Sequence, residues 1–333
     1  MRRKRSIKEN PQRRAAAAAL SLTVEGRLKP PLKWAGGKRW LVPHLAPLWE
    51  AHSERRYLEP FCGGLAAPLG LQPRRAVLND LNPHLINFYV QVQRGLKVRI
   101  EMRNDQRLFY RHRERFNDFV RKGESETAEA AQIFYYLNRT CFNGLCRFNQ
   151  SGAFNTPFGR HNSINYANDF STLRTVIRNW TFTSTDVARL LVEPEDFIYA
   201  DPPYDVEFTT YSAGGFSWAD QVRTAEWLAA HRGPVVLSNQ ATNRIVKLYR
   251  KLGFALRFLN APRRIELACE TRRCLALALQ AFAQQLALRI GLGKGLGEHG
   301  GKQESDGGTG NRRIEQEPRS PVRSESCCAQ GHQ

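Results

Sequence analysis

The sequence predicts an α/β protein, a sheet domain interrupted by a mostly helical insertion. Two observations carry that expectation. Short apolar runs alternate with helical patterns along most of the chain, as strands and helices layered on one sheet require. From about residue 97 to 180 the alternation gives way to helix and loop rich in Arg, Asn and aromatic residues. A third observation bounds the folded part: nine glycines fall between 291 and 310, followed by Arg, Glu, Ser and Pro without apolar periodicity. Such a segment buries too little surface to offset chain entropy, so residues 285–333 are expected to be a disordered tail.

In chain order, the first 14 residues are basic and lead into AAAAALSLTV, a superficial likeness to a signal peptide. The apolar stretch is mostly Ala and Glu25 follows closely, so residues 1–30 read as a flexible basic extension. Apolar runs place strands at Arg56–Glu59, Ala76–Asn79, Thr181–Ser184, Phe197–Ala200, Val235–Ser238, Ala255–Leu259 and Cys274–Leu279. Helical patterns cover Lys38–Glu50, Pro83–Arg94, Leu108–Val120, Glu126–Asn138 and Asp220–His231.

Composition narrows the function. With 333 residues, 41% hydrophobic and 24% charged, wholesale disorder, collagen and a disulfide miniprotein are excluded. No uninterrupted apolar run is long enough to span a bilayer, which predicts no membrane partner and a cytoplasmic location. Seven cysteines without a CxxC pair read as reduced thiols, and eight histidines show no ligand spacing, so no metal is expected. The formal charge of +19 favours a polyanion partner. It is unevenly placed: residues 1–33 carry +8, residues 285–333 carry +1, and +10 remains between them.

The sharpest motif is Asp201-Pro202-Pro203-Tyr204, directly after the apolar run FIYA. Two prolines in series fix an extended, donor-poor backbone at a strand's carboxyl end, where α/β sheets bind ligands. An exocyclic amine on a planar base is a poor nucleophile because its lone pair is delocalised into the ring. The Asp201 carboxylate and Pro202 carbonyl can accept its two hydrogens and draw the nitrogen towards tetrahedral geometry, while Tyr204 stacks on the base. A methyl group could then pass directly from a sulfonium, with positioning and no metal.

Glu59-Pro60-Phe61-Cys62-Gly63-Gly64 follows another strand, and its glycines allow close backbone approach to a small ligand. Asp80 ends the next strand, where a nucleoside-binding fold places a carboxylate on the ribose hydroxyls. Upstream, Lys33-Trp34-Ala35-Gly36-Gly37-Lys38 opens a helix, with exposed N–H groups suited to a cofactor carboxylate and Trp34 and Lys38 as wall and counter-charge. The insertion holds Tyr136-Leu137-Asn138-Arg139-Thr140-Cys141-Phe142-Asn143-Gly144-Leu145-Cys146-Arg147-Phe148-Asn149 and then Phe154-Asn155-Thr156-Pro157-Phe158-Gly159-Arg160. Its Asn and Arg side chains can contact base edges, and its aromatics can stack on or wedge between bases.

The ordered set KWAGGK, EPFCGG, ND, YLNRTCFNGLCRFN, FNTPFGR and DPPY resembles the Dam-type DNA adenine-N6 methyltransferases over roughly residues 32–280. The resemblance implies a Rossmann-like S-adenosylmethionine-dependent methyltransferase domain over 31–96 and 181–284, with a target-recognition DNA-binding insertion over 97–180. It implies S-adenosylmethionine as cofactor, held by Trp34, Lys38, Asp80 and Asp201 with Glu59, Phe61 and Gly63 of the glycine turn. Asp201, Pro202, Pro203 and Tyr204 would be catalytic. Lys33, Phe142, Asn143, Leu145, Arg147 and Pro157 would touch double-stranded DNA, in GATC, with the adenine flipped out and the enzyme monomeric. The chain departs from the family in two places: Phe142 replaces a commonly intercalating tyrosine, and Gly63-Gly64-Leu65 stands where many members carry G-x-G. Two other readings compete. A DNA-binding protein without activity is opposed by the intact DPPY and KWAGGK, and a methyltransferase for RNA or a protein amide is disfavoured by the NGLCRFN segment.

Overall fold

Strands that read as continuous apolar runs must be covered on both faces, and the computed structural model, which describes residues 23–24, 27–205, 215–260 and 274–279, shows such a sheet. A short antiparallel ribbon of β1 (Thr23–Val24) and β2 (Arg27–Leu28) precedes it. In the main sheet β3 (Tyr57–Glu59) is central. On one side lie β4 (Ala76–Asn79) and β5 (Trp180–Thr183), on the other β6 (Phe197–Ala200) and β7 (Val235–Gln240), all parallel. Beyond β7 the chain forms β8 (Ala255–Asn260) and β9 (Cys274–Leu279), and β9 inserts antiparallel between β7 and β8. The order β5-β4-β3-β6-β7-β9-β8 is the Rossmann-like arrangement that the sequence predicts. The strand sequence reverses direction of growth between β3 and β6, which opens a crevice at their carboxyl ends.

Side chains alternate between two cores, as the two-residue period of a strand requires. Tyr57, Phe197, Tyr199 and Val236 face one core, with Leu45, Leu48 and Trp49 of α1 (Val42–Glu50). Leu58, Ile198, Ala200, Val235 and Leu237 face the other. There they meet Ala225 and Leu228 of α7 (Trp218–Ala229) and Ile245 and Tyr249 of α8 (Asn243–Lys251). Truncating a wholly buried residue such as Leu58 to Ala costs about 2–5 kcal/mol.

The remaining helices are α2 (Ala66–Leu71), α3 (Pro83–Gln93), α4 (Gln106–Lys122), α5 (Ala128–Thr140) and α6 (Ser171–Ile177). Their starts are chemically marked. Asn82, Asp105, Thr127 and Thr242 cap α3, α4, α5 and α8 through side-chain oxygens, and Ser217 with Asp220 forms a capping box on α7. Gly123 ends α4 in the left-handed region, at φ 70°. The insertion between β4 and β5 is dominated by α4 and α5, whose buried aromatics, Phe109, Phe116 and Phe134 among them, belong to the same core as the sheet.

One expected helix is divided. Arg39–Leu41 is a 3-10 turn and the α-helix starts only at Val42. Pro43 has no N–H to donate back to residue 39, which favours a helix start at Val42, where that donor is not needed, although the same helix carries a second proline, Pro47, inside it. The short helices α2 and α6, and the amphipathic α8, have no counterpart in the expected elements. The segment Phe208–Tyr211, Arg263, Arg264, Arg272, Arg273 and the greater part of both terminal extensions lie outside the described residues.

Candidate active site

The site is assembled where the chain leaves β3, β4 and β6. Directly after β6, Asp201 projects at the crevice between β6 and β3, and both of its oxygens are engaged. Oδ1 accepts the Ser238 hydroxyl at 2.7 Å and Oδ2 pairs with Lys38 Nζ at 2.7 Å. Ser238 Oγ also lies 3.1 Å from the Tyr199 hydroxyl in the core. Lys38 Nζ donates to the Gly36 carbonyl at 2.8 Å and stands 4.5 Å from the Tyr204 ring centroid. The KWAGGK turn is therefore folded onto DPPY: its lysine touches the carboxylate and the aromatic face of that motif. The Tyr204 hydroxyl is buried without a partner in hydrogen-bonding geometry, and burial, reinforced by the Asp201 charge, pushes its phenol well above the ordinary range.

After β3 the glycine turn is tied at both ends of one residue. Gly63 N–H donates to Asp80 Oδ2 at 3.1 Å, and its carbonyl accepts the Tyr89 hydroxyl of α3 at 2.9 Å. Gly63 has φ 44°, and a Cβ there or on Gly64 would come within 2.8 or 2.9 Å of the Trp34 side chain. The two glycines thus allow Trp34 to pack directly on the turn, where side chains would collide with it. The third residue, Leu65, also lies in the left-handed region at φ 61° while wholly buried. The departure from G-x-G falls on a position whose backbone favours glycine, and burial of the leucine side chain offsets the strain.

Asp80 leaves β4 with Oδ1 accepting the Asn82 N–H at 2.9 Å. Burial raises its carboxyl to about 6, although the Asn82 and Gly63 N–H groups pull the other way. Glu59 is wholly enclosed and accepts the Tyr57 hydroxyl at 2.7 Å. Burial, with the neighbouring Asp201 and Asp80 charges adding to it, pushes its carboxyl well up. Phe61 turns to the opposite core and meets Phe216 edge-on at 5.9 Å.

The second cluster hangs from the end of α5. Cys141 bridges to Phe158 and Phe148 to Phe154, which folds residues 141–158 into an irregular antiparallel loop. At its base, next to the Cys141–Phe158 bridge, Phe142-Asn143-Gly144 is a 3-10 turn with Asn143 and Gly144 at φ 52° and 66°. Phe142 is 50% exposed, and Asn143, Arg147 and Pro157 are exposed beside it, with Leu145 half-buried. The Phe142 N–H donates to the Pro157 carbonyl at 2.9 Å and Thr156 Oγ1 donates to the Leu145 carbonyl at 2.6 Å, so backbone contacts hold the loop and leave its side chains outward.

Asn138, fully buried, joins the two clusters. Its Oδ1 accepts the Lys33 N–H at 2.9 Å and its Nδ2 donates to the Lys33 carbonyl at 2.7 Å. Lys33 Nζ donates to the Arg139 carbonyl at 3.2 Å, and a Cβ on Gly144 would come within 2.5 Å of Lys33 Cβ. Burial, with the Arg139 charge nearby, lowers the Lys33 pKa. Asn138, Tyr89 and Ser238 all support site residues. Asn138 stands within the YLNRT run and Ser238 at a strand end, but nothing local in the sequence says which group each reaches.

A family model for D12 class N6 adenine-specific DNA methyltransferases matches residues 34–261, which span the strand ends of this crevice and the loop 141–158. The chain belongs to that family. The adenine methyltransferase is 32% identical over 258 residues to the retron Ec67 DNA adenine methylase of Escherichia coli, covering 70% of this chain and 84% of that one. It is 34% identical over 243 residues to the type II methyltransferase M1.LlaDCHI of Lactococcus lactis subsp. cremoris, covering 67% and 85%. A DNA adenine methylase of Vibrio cholerae is 32% identical over 256 residues, covering 70% and 88%.

The family's methyl donor is S-adenosylmethionine, and the crevice suits it. Asp80 accepts one backbone N–H on each oxygen, and a carboxylate has about four acceptor positions, so two remain for a ribose diol. The glycines let the Trp34 side chain lie directly on the turn as a wall of the crevice, and Lys38 provides a cation beside the Asp201 anion for a zwitterionic amino acid group. Among the described residues no group of three or more His, Cys, Asp or Glu could hold a metal ion, and no helix is long and apolar enough to cross a membrane.

Proposed function

We propose that this adenine methyltransferase acts on duplex DNA within GATC, as a monomer, by flipping the target adenine onto Asp201-Pro202-Pro203-Tyr204. The observation that carries the reading is the meeting of Asp201, Lys38 and Tyr204 at the mouth of the sheet. Bound S-adenosylmethionine supplies an electrophilic methyl group. Asp80 would hold its ribose, Trp34, Gly63 and the Glu59-to-Phe61 turn its walls, and Lys38 its carboxylate.

For the base, the Asp201 carboxylate and the Pro202 carbonyl accept hydrogen bonds from the two N6–H groups, and one of those protons is lost as the methyl group is gained. Among the described residues none donates a hydrogen bond to the Pro202 carbonyl. Ser238 stays on Asp201 Oδ1 and fixes the carboxylate while Oδ2 exchanges the lysine for the amine. Tyr204 stacks on the adenine and keeps water from its face.

For the sequence, Phe142 wedges at the step next to the flipped base, and Asn143, Arg147, Lys33, Leu145 and Pro157 read groove edges. Phe for Tyr keeps the ring and removes only a hydroxyl. The test is methylation-sensitive sequencing of DNA from cells expressing the chain: N6-methyladenine confined to GATC, and absent with Asp201→Ala, is expected. Methylation at another sequence would remove the GATC assignment, and activity retained by Asp201→Ala would remove the mechanism.

A further inference from the structure

Two successive prolines deprive the turn after β6 of two backbone donors, so it cannot be tied down by N–H groups of its own at 202 and 203. The structure anchors it from outside instead. Gln221 of α7, only 2% exposed, donates from Nε2 to the Pro203 carbonyl at 2.7 Å. Asn239 of β7, wholly buried, donates from Nδ2 to Gln221 Oε1 at 2.9 Å and to the Tyr249 hydroxyl at 3.0 Å. At the far end of the turn, the Asp205 N–H donates to Asn239 Oδ1 at 3.4 Å.

The direction of this relay is dictated by backbone chemistry. The N–H groups of Asp205 and Gln240 both point at the same atom of Asn239, which must be the oxygen. Its amide nitrogen therefore faces Gln221, which must present oxygen to Asn239 and nitrogen to Pro203. The Pro203 ring locks φ, so only ψ of Pro203 lies between its held carbonyl and the preceding peptide plane, and holding that carbonyl restrains the direction of the Pro202 carbonyl. Adjacent residues of one strand thus hold the two sides of the turn. Ser238 holds the Asp201 carboxylate and Asn239, through Gln221, holds the carbonyl side.

We propose that Gln221 is a positioning residue for methyl transfer, setting the Pro202 carbonyl that accepts the adenine amine, with Asn239 fixing the orientation of its amide. This rests on the reading of Asp201–Tyr204 as the base-binding turn. Nothing local marks the glutamine: it lies 18 residues beyond Pro203 on another element.

The test is steady-state and single-turnover methylation of a GATC duplex by the full chain. Gln221→Met fills the space but cannot donate; it is expected to lower kcat about 10- to 100-fold while KM for S-adenosylmethionine and affinity for S-adenosylhomocysteine stay within about twofold. Gln221→Glu can donate only when protonated, so its rate relative to wild type is expected to fall as pH rises. A kcat for Gln221→Met within about threefold of wild type, a parallel loss of kcat, cofactor affinity and thermal midpoint, or a pH-independent Gln221→Glu ratio would each overturn the proposal. Asp201→Ala in the same series separates the two claims: if it stays active the base-binding reading falls, and if it is dead while Gln221→Met is unimpaired only the role of Gln221 falls.

Discussion

The crevice at the ends of β3, β4 and β6 and the loop 141–158 solve opposite problems. In the crevice the carboxyl groups are enclosed and each is gripped by a neighbour: Asp201 by Ser238 and Lys38, Asp80 by two N–H groups, Glu59 by Tyr57. In the loop the grip is on the backbone, through Pro157, Thr156 and the Asn138 clamp, and Phe142, Asn143 and Arg147 face outward. Chemistry requires fixed dipoles in a dry site, and reading a polymer requires side chains that are still free to meet it. Substitutions in the crevice should therefore change rate, and substitutions in the loop should change discrimination.

The strongest attempt to break that contrast is Asp201→Ala, for which a loss of kcat of at least about 1,000-fold is expected with duplex binding retained. Filter binding and single-turnover methylation measure the two effects separately, and a loss confined to DNA affinity would erase the division. Arg147→Ala is the converse: a loss of about 10- to 100-fold in the preference for cognate over altered duplex, with little change in the single-turnover rate on saturating cognate DNA.

A pH profile sharpens the description of the crevice. Ionised Asp80 is the better acceptor for ribose hydroxyls, and its carboxyl is raised to about 6 by burial. S-adenosylhomocysteine affinity is expected to weaken as pH falls through about 6, by up to tenfold per unit, and calorimetry on Asp80→Asn should show a flat profile. The stability effect of the same group has the opposite sense. Between its unfolded value of about 3.9 and about 6 the folded state binds the extra proton, so this contribution is present at low pH and is lost as pH rises through that window.

Gly144→Ala tests the contact between the regions. With φ at 66° and Lys33 Cβ within 2.5 Å of the added carbon, it is expected to cost about 1–3 kcal/mol in denaturant unfolding and to lower cognate discrimination. A neutral outcome would mean that the loop does not rest on Lys33. The smallest effect concerns the termini. A chain trimmed to residues 28–285 loses most of the +8 of residues 1–33 and should keep its specificity while giving up a few-fold of nonspecific, salt-sensitive DNA affinity. An unchanged salt slope would show that the basic extension does not touch DNA.

Much of this protein was written locally. Apolar runs such as FIYA and AVLN marked β6 and β4 to the residue, because a strand covered on both faces needs little else. The places of Asp201, Asp80 and the glycine turn at strand ends were legible because each directly follows such an apolar run. The helix α8 was missed although Ile245 and Tyr249 lie four apart on one face behind the Thr242 cap, and α2 was hidden by Pro68 and Gly70 within it. What tertiary structure alone decided is which groups meet across long separations: Lys38 with Asp201, Asn138 with Lys33, Gln221 with Pro203. Each is a hydrogen bond or ion pair made when sheet order brings distant segments side by side, and a polar side chain carries no local signal of its partner. Residue types and strand ends specified which groups gather at the mouth of the sheet; only packing specified what holds them still.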